Sequence, residues 1–246
     1  MKAVLIVGSA PDAARIQSID CSAVSYKVAI NNAWRLRKDW EFVIFPEDFP
    51  KEKQPTSFDK DKLISAKQYV PKQNSFGGFI YAGGTMAFTA GYWALGALKP
   101  DVIAYLGCDM IYPEQQEKQS HFYGTGAPDP LRKDITLQSL EAKSARLFAF
   151  AKSHDCKVLN VSEQNQSRLL FPKISIDQFL TPSNLSSSLD KVDLELNDKA
   201  MQQALEKEEA LSYMAPSGRY WEIEKELDSS QLRKIDTLWL QTVSCA

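Results

Sequence analysis

Residues 101–126 read DVIAYLGCDMIYPEQQEKQSHFYGTG, a short apolar run followed by a longer, more polar segment. Residues 101–107 are short, apolar and rich in β-formers, a pattern typical of a buried parallel strand. In open α/β sheets ligands bind outside the carboxyl ends of the strands, which is where the loop of residues 107–126 begins. Connections this long in compact domains are usually active-site lids, binding loops or disordered segments. We therefore expect a site in this loop, whose polar side chains include Asp109, Tyr112, His121 and Tyr123.

The same apolar pattern recurs on both sides of this strand. Further predicted strands are residues 2–7, 26–30, 41–45, 66–70 and 157–161. Residues 86–98 and 134–154 have the spacing of helices, so the order predicts a doubly wound, mostly parallel, Rossmann-like α/β sheet over residues 1–180. Residues 181–246 are charged and amphipathic. They predict a helical C-terminal extension that packs on the core or makes an oligomer contact.

The composition argues against several classes of partner. Lys and Arg number 29 against 31 Asp and Glu, and no basic cluster stands out, so nucleic acid is not an expected partner. The four cysteines are scattered without C-x-x-C pairs, which predicts reduced thiols rather than a zinc or redox site. No apolar run approaches the roughly 20 residues that span a bilayer. We therefore expect a cytoplasmic protein, and leave open attachment to the inner face of the membrane and homo-oligomerisation.

Three turns carry residues suited to a nucleotide. After the first strand, Gly8 and Ser9 precede a helix start, where backbone N–H groups and the helix dipole suit a phosphate; a plain strand-to-helix connection fits equally well. Asn32 follows the second strand and offers both a donor and an acceptor, although asparagine also caps helices. The turn Gly83-Gly84-Thr85 before the buried helix is the best candidate cradle for an anion or a ribose.

His121 is one of only two histidines. A neutral imidazole can remove a proton from an acceptor hydroxyl while the phenols of Tyr112 and Tyr123 stabilise a departing phosphate, a combination suited to transfer from an activated sugar. The alternative is that His121 is a loop residue without a ligand. The other histidine, His154, lies at the predicted end of a helix, where capping is its expected role.

The ordered motifs resemble those of the bacterial lipooligosaccharide sialyltransferases, which use CMP-sialic acid. The matching features, within about residues 2–172, are Gly8-Ser-Ala-Pro, Asn32 after a strand, a Gly-rich turn before an Ala-rich helix, Gly107-x-Asp109, Ser120-His121-Phe122 and a helix over residues 134–150. The resemblance implies that His121 is the general base, that Tyr112, and more weakly Tyr123, contacts the phosphate, and that no metal is needed. It implies nucleotide contacts from Gly8, Ser9, Asn32 and the Gly83-Gly84-Thr85 turn. The partners would be the nucleotide-sugar donor and a glycan acceptor.

Two alternatives remain open. A related superfamily of similar topology includes 6-hydroxymethylpterin diphosphokinases, which transfer a diphosphate from ATP with magnesium. Asp109, Glu47 and Asp48 could hold that metal, because magnesium prefers a few carboxylates plus phosphate oxygens. The second alternative is a non-catalytic module that binds a nucleotide.

Overall fold

The structure is a computed structural model that describes residues 1–112, 120–124, 134–191 and 194–243. Its sheet contains the parallel strands β1 (Ala3–Val7), β2 (Tyr26–Ile30), β3 (Phe42–Ile44), β4 (Leu63–Ile64), β5 (Val102–Leu106) and β6 (Lys157–Asn160). The strand order is β4-β3-β2-β1-β5-β6, so the order reverses between β1 and β5. The fold is therefore the expected Rossmann-like α/β arrangement, and the crevice between β1 and β5 is its switch point.

Helices cover both faces of this sheet. They are α1 (Ala66–Asn74), α2 (Phe79–Ala82), α3 (Met86–Trp93), α4 (Leu140–Lys152), α5 (Ile176–Leu180), α6 (Pro182–Lys191), α7 (Asp198–Leu211) and α8 (Ser229–Thr242). Alternate strand residues point to opposite sides, as the pleat requires. Val4 and Ile6 of β1 belong to the core with α1–α4, α7 and α8, whereas Leu5 belongs to the core with α5 and α6. The chain is thus wound on both sides of the sheet.

The predicted strand over residues 66–70 is wrong, because these residues form the first half of α1. Ser65 and Gln68 form a capping box that satisfies donors at the start of this helix. The strand in this region is β4, only two residues long, which pairs with β3 immediately before the cap. The capping box thus begins a helix here despite the β-forming residues Tyr69 and Val70.

The C-terminal helices share the core of the sheet. Ala204 of α7 and Leu232, Ile235 and Trp239 of α8 belong to the same buried cluster as Val4 of β1. The side chain of Lys143 in α4 donates to Asp236 of α8 over 2.6 Å, with both residues buried. This packing agrees with the expected helical extension, while the division of the chain into domains at residue 180 stays a prediction. Among the described residues, no helix is both long and apolar enough to cross a membrane.

Candidate active site

A cavity of about 800 Å³ opens at the carboxyl edge of the sheet, around the crevice between β1 and β5. Its walls come from the turns after β1, β2, β3 and β5, from the start of α3, and from residues 217–221, which precede α8. Predicted site residues in its lining are Gly8, Ser9, Gly84, Thr85, Tyr112 and His121. The topology thus brings predicted residues from three separate segments of the chain to one concave surface.

Two glycines allow the turns after β1 and β5 to approach each other. A Cβ on Gly8 would lie 2.4 Å from the carbonyl oxygen of Gly107, and one on Gly107 would lie 2.6 Å from the Cβ of Ala13. Gly107 also has φ of 66°, a left-handed conformation that favours glycine. The N–H of Gly8 donates to Leu106 and that of Ala10 to Gly107, over 2.8 and 3.0 Å. The backbones of these two turns are therefore in close contact where they line the cavity.

His121 lies in a short turn that is hydrogen-bonded to the turn after β1. The N–H of Phe122 donates to the carbonyl of Ser9 over 2.9 Å, and His121 and Gly124 exchange backbone hydrogen bonds of 3.0 and 3.1 Å. The hydroxyl of Ser120 lies 2.8 Å from Nδ1 of His121. Burial lowers the pKa of His121 below its ordinary value of 6.5. The imidazole is therefore largely neutral at pH 7, as a general base must be.

The two predicted tyrosines have different positions. Tyr112 lines the cavity together with His121. Tyr123 is 45% exposed and stacks on the ring of His121, with centroids 4.9 Å apart, outside the cavity lining. Tyr123 can thus orient the imidazole but does not face the cavity. The intervening part of the predicted loop, residues 113–119, and its end at residues 125–126 lie outside the described residues.

The other histidine has the capping position that its sequence context predicts. His154 follows the end of α4, and its Nδ1 lies 2.8 Å from the carbonyl oxygen of Phe150. It also meets the edge of Phe76, at 5.4 Å between ring centroids. His121 is thus the one histidine that lines the cavity, both histidines being within the described chain.

Comparison with protein-family models, with curated proteins and with solved structures finds no match. The resemblance to the sialyltransferases consequently stays a prediction, and the site must be interpreted from its own residues.

Of the two adjacent asparagines, Asn31 lines the cavity, whereas the predicted Asn32 is 7% exposed and is not part of the lining. Asn31 adopts φ of 51°, a left-handed conformation that asparagine tolerates better than most residues. This turn places Asn31 on the cavity side. Within the described chain, the Oδ1 atoms of both asparagines are buried and have no hydrogen-bond partner.

Gly84 and Thr85 of the predicted Gly83-Gly84-Thr85 cradle line the cavity, but the Gly84 N–H and the Thr85 hydroxyl already have partners within the protein. The N–H of Gly84 already donates to Thr136 Oγ1 over 3.1 Å, and a Cβ on Gly84 would lie 2.2 Å from the hydroxyl of Tyr220. Gly83 faces the side chain of Lys143, outside the cavity lining. Thr85 instead caps α3 by accepting from the N–H of Phe88. Gly84 and Thr85 thus serve the packing of the turn.

The start of α3 offers other donors to the cavity. Met86 and Ala87 are the first two residues of α3, and both line the cavity. The first backbone N–H groups of a helix have no intrahelical acceptor, and they carry the positive end of the helix dipole. This helix start is therefore suited to an anionic group of a ligand. Its N–H donors belong to Met86 and Ala87, which follow the turn of residues 83–85 that the sequence predicts as the cradle.

Asp109 lies outside the cavity lining, and its carboxylate is fully engaged. Asn160 donates to one oxygen over 3.1 Å and Ser162 to the other over 2.6 Å. Its backbone carbonyl also accepts from the N–H of Arg168. Asp109 thus joins the ends of β5 and β6. Among the described residues, no group of three His, Cys, Asp or Glu side chains is arranged to hold a metal.

Three cavity features were not predicted from the sequence. Thr89 of α3 is 1% exposed, lines the cavity, and has an Oγ1 without a partner among the described residues. Cys108 also lines it, but burial raises the pKa of its thiol well above its usual range, so the thiol is not a nucleophile at neutral pH. Residues 217–221 form a wall from a distant part of the chain. Together with Oδ1 of Asn31, the hydroxyl of Thr89 is thus a buried polar group of the cavity lining that has no partner among the described residues.

Proposed function

We propose that the chain is a metal-independent, inverting glycosyltransferase of the sialyltransferase type. It transfers a sugar from CMP-sialic acid, or a close nucleotide sugar, to a glycan acceptor. The observation that carries this proposal is the position of His121, a half-buried imidazole of lowered pKa in the wall of a cavity at the switch point of the sheet. Such a crevice is where α/β sheets of this type bind nucleotides.

The cavity provides a group for each part of the transfer. His121 takes the proton from the acceptor hydroxyl as the new glycosidic bond forms. Ser120 holds Nδ1 of the imidazole, and when Nδ1 donates to the hydroxyl the lone pair needed for the reaction is on Nε2. The phenol of Tyr112 and the start of α3 are suited to the negative charge that develops on the leaving nucleotide phosphate.

The magnesium-dependent alternative fits the residues less well. It needs Asp109, Glu47 and Asp48 to converge on one ion. Asp109 is engaged by Asn160 and Ser162 outside the cavity lining, and Glu47 is paired with Arg219. Asp48 lines the cavity and takes part neither in the Asn160 and Ser162 hydrogen bonds nor in the ion pair with Arg219. A non-catalytic nucleotide-binding module would use the same cavity but would not require His121.

The transfer rate should depend on pH through His121. A base must be neutral, and burial lowers the pKa of His121, so the rate should rise with pH through a midpoint below 6.5 and level off at higher pH. The measurement is the pH profile of kcat/KM for transfer. A midpoint above 6.5 would contradict the assignment, as would the same acidic limb in His121→Ala.

Thr89→Val tests whether the unpartnered hydroxyl contacts the nucleotide. Because a buried hydroxyl without a partner is unfavourable, the ligand-free variant should be as stable as the parent or more so. Loss of one hydrogen bond should weaken CMP binding about two- to tenfold. Calorimetric titration with CMP and urea denaturation measure the two effects.

Thr85→Val is the matched control for this experiment. It removes the cap of α3 and should lower the free energy of unfolding by about 1 kcal/mol. If Thr89→Val instead lost stability and bound CMP like the parent, the hydroxyl would belong to the protein core and not to the nucleotide site.

A further inference from the structure

Residues 217–221 form a wall of the cavity that is fixed to the rest of the protein. Tyr220 is 6% exposed, its hydroxyl donates to Asp134 over 2.6 Å, and its ring stacks on Phe79 with centroids 6.3 Å apart. The side-chain amide of Asn74 donates to the carbonyl of Pro216 over 2.9 Å. These contacts thus hold residues 217–221 at the cavity rim.

The rim contains an exposed ion pair that spans two walls of the cavity. Arg219 donates to both oxygens of Glu47, which follows β3, over 3.1 and 2.9 Å. Both side chains are about half exposed and line the cavity. An exposed pair of this kind adds little to stability, so stability does not explain why the two residues meet here. Together they offer N–H donors and carboxylate acceptors on one surface.

Trp221 presents an indole to the same cavity. It is 54% exposed, whereas Trp40, Trp93 and Trp239 are buried. Its ring meets that of the anchored Tyr220 nearly edge-on, at 5.4 Å between centroids. A large aromatic side chain held in place at a cavity mouth offers a rigid apolar surface to a ligand.

We propose that Trp221, Arg219 and Glu47 form a subsite for a neutral sugar ring of the acceptor. The apolar C–H face of the ring packs on the indole, while its hydroxyls donate to Glu47 and accept from Arg219. This identification as an acceptor subsite rests on the proposed function, since it places the acceptor in the cavity that contains His121.

The charges at the rim favour a neutral ring over an anionic one. Arg219 faces the carboxylates of Glu47 and Glu222, at 2.9 and 3.7 Å, and Asp48 lines the same wall of the cavity. An anionic sugar would have to displace Glu47 from Arg219 and would meet the remaining carboxylates. Hydroxyls, in contrast, can join the ion pair without separating it.

The test is quenching of tryptophan fluorescence in the full chain by lactose, a neutral disaccharide, with glucuronate as the anionic probe. Lactose should quench the tryptophan fluorescence of the parent and of the Trp34→Phe control. Trp221→Ala should weaken lactose binding about tenfold or more, as measured by saturation-transfer NMR. Arg219→Gln should also weaken lactose binding. CMP should stabilise the parent and all three variants equally, because the nucleotide lies elsewhere in the cavity.

The outcomes separate this subsite from the proposed function. Preference for glucuronate, absence of lactose binding at millimolar concentration with CMP present, or unchanged binding in Trp221→Ala would each overturn the subsite. If lactose binding depended on Trp221 while CMP bound nothing, the subsite would stand and the nucleotide-dependent function would fall.

Discussion

Replacement of His121 by alanine should lower the rate of sugar transfer by about 10²–10⁴-fold, which is the usual contribution of a positioned general base. This factor corresponds to about 3–5 kcal/mol of activation free energy. Binding of CMP should barely change, because the base acts on the acceptor hydroxyl and not on the donor. The measurement is transfer from CMP-sialic acid to a glycan acceptor on which the parent chain turns over, with donor hydrolysis followed separately.

His154→Ala is the matched control for His121→Ala. His154 lies at the end of α4 and contacts the Phe150 carbonyl, so its loss should cost some stability and leave transfer unchanged. An equal CMP-induced thermal shift in both variants would show that the nucleotide site is intact. Parental transfer by His121→Ala would contradict the proposed mechanism even if the fold were correct.

Replacement of Glu208 by glutamine should destabilise the protein by about 3–5 kcal/mol, because it leaves a buried cation without its counter-charge. Arg146 of α4 is fully buried, and its guanidinium donates to both carboxylate oxygens of Glu208 in α7 over 2.9 and 2.7 Å. The indole N–H of Trp239 in α8 donates to the same carboxylate over 2.7 Å. One substitution therefore disturbs three helices.

Glu209→Gln is the control for this substitution, since Glu209 is the exposed neighbour of Glu208 on α7. Its effect on the free energy of unfolding should be within about 0.5 kcal/mol. Urea denaturation measures both variants. A loss below about 1 kcal/mol in Glu208→Gln would mean that the C-terminal helices are less tightly joined to the sheet than this ion pair implies.

The sheet could be predicted because its signals are local. Buried parallel strands are continuous apolar runs, so residues 26–30 and 101–107 were recognisable without knowledge of their neighbours. Each strand ends in a turn, and strands that run parallel deliver those turns to one edge. Gly8, Ser9, Tyr112 and His121 were therefore predicted to lie together, and they line one cavity.

The remaining site features depend on contacts between distant residues. The first of two adjacent asparagines faces the cavity because Asn31 adopts a left-handed backbone conformation, which the sequence does not specify. Asp109 is held outside the cavity lining by Asn160 and Ser162, more than 50 residues away along the chain. Residues 217–221 join the site only because the C-terminal helices pack on the same core as the sheet. No local pattern encodes any of these contacts.

Calorimetric titration of the full chain with CMP in the presence of EDTA is a direct test of metal-independent nucleotide binding. The start of α3 lines the cavity and can bind the phosphate, whereas Asp109, a candidate magnesium ligand, lies outside the lining. We therefore expect CMP to bind at one site, with the same affinity when EDTA is replaced by magnesium. Failure of CMP to bind, together with binding of ATP only when magnesium is present, would contradict a metal-independent nucleotide-sugar transferase.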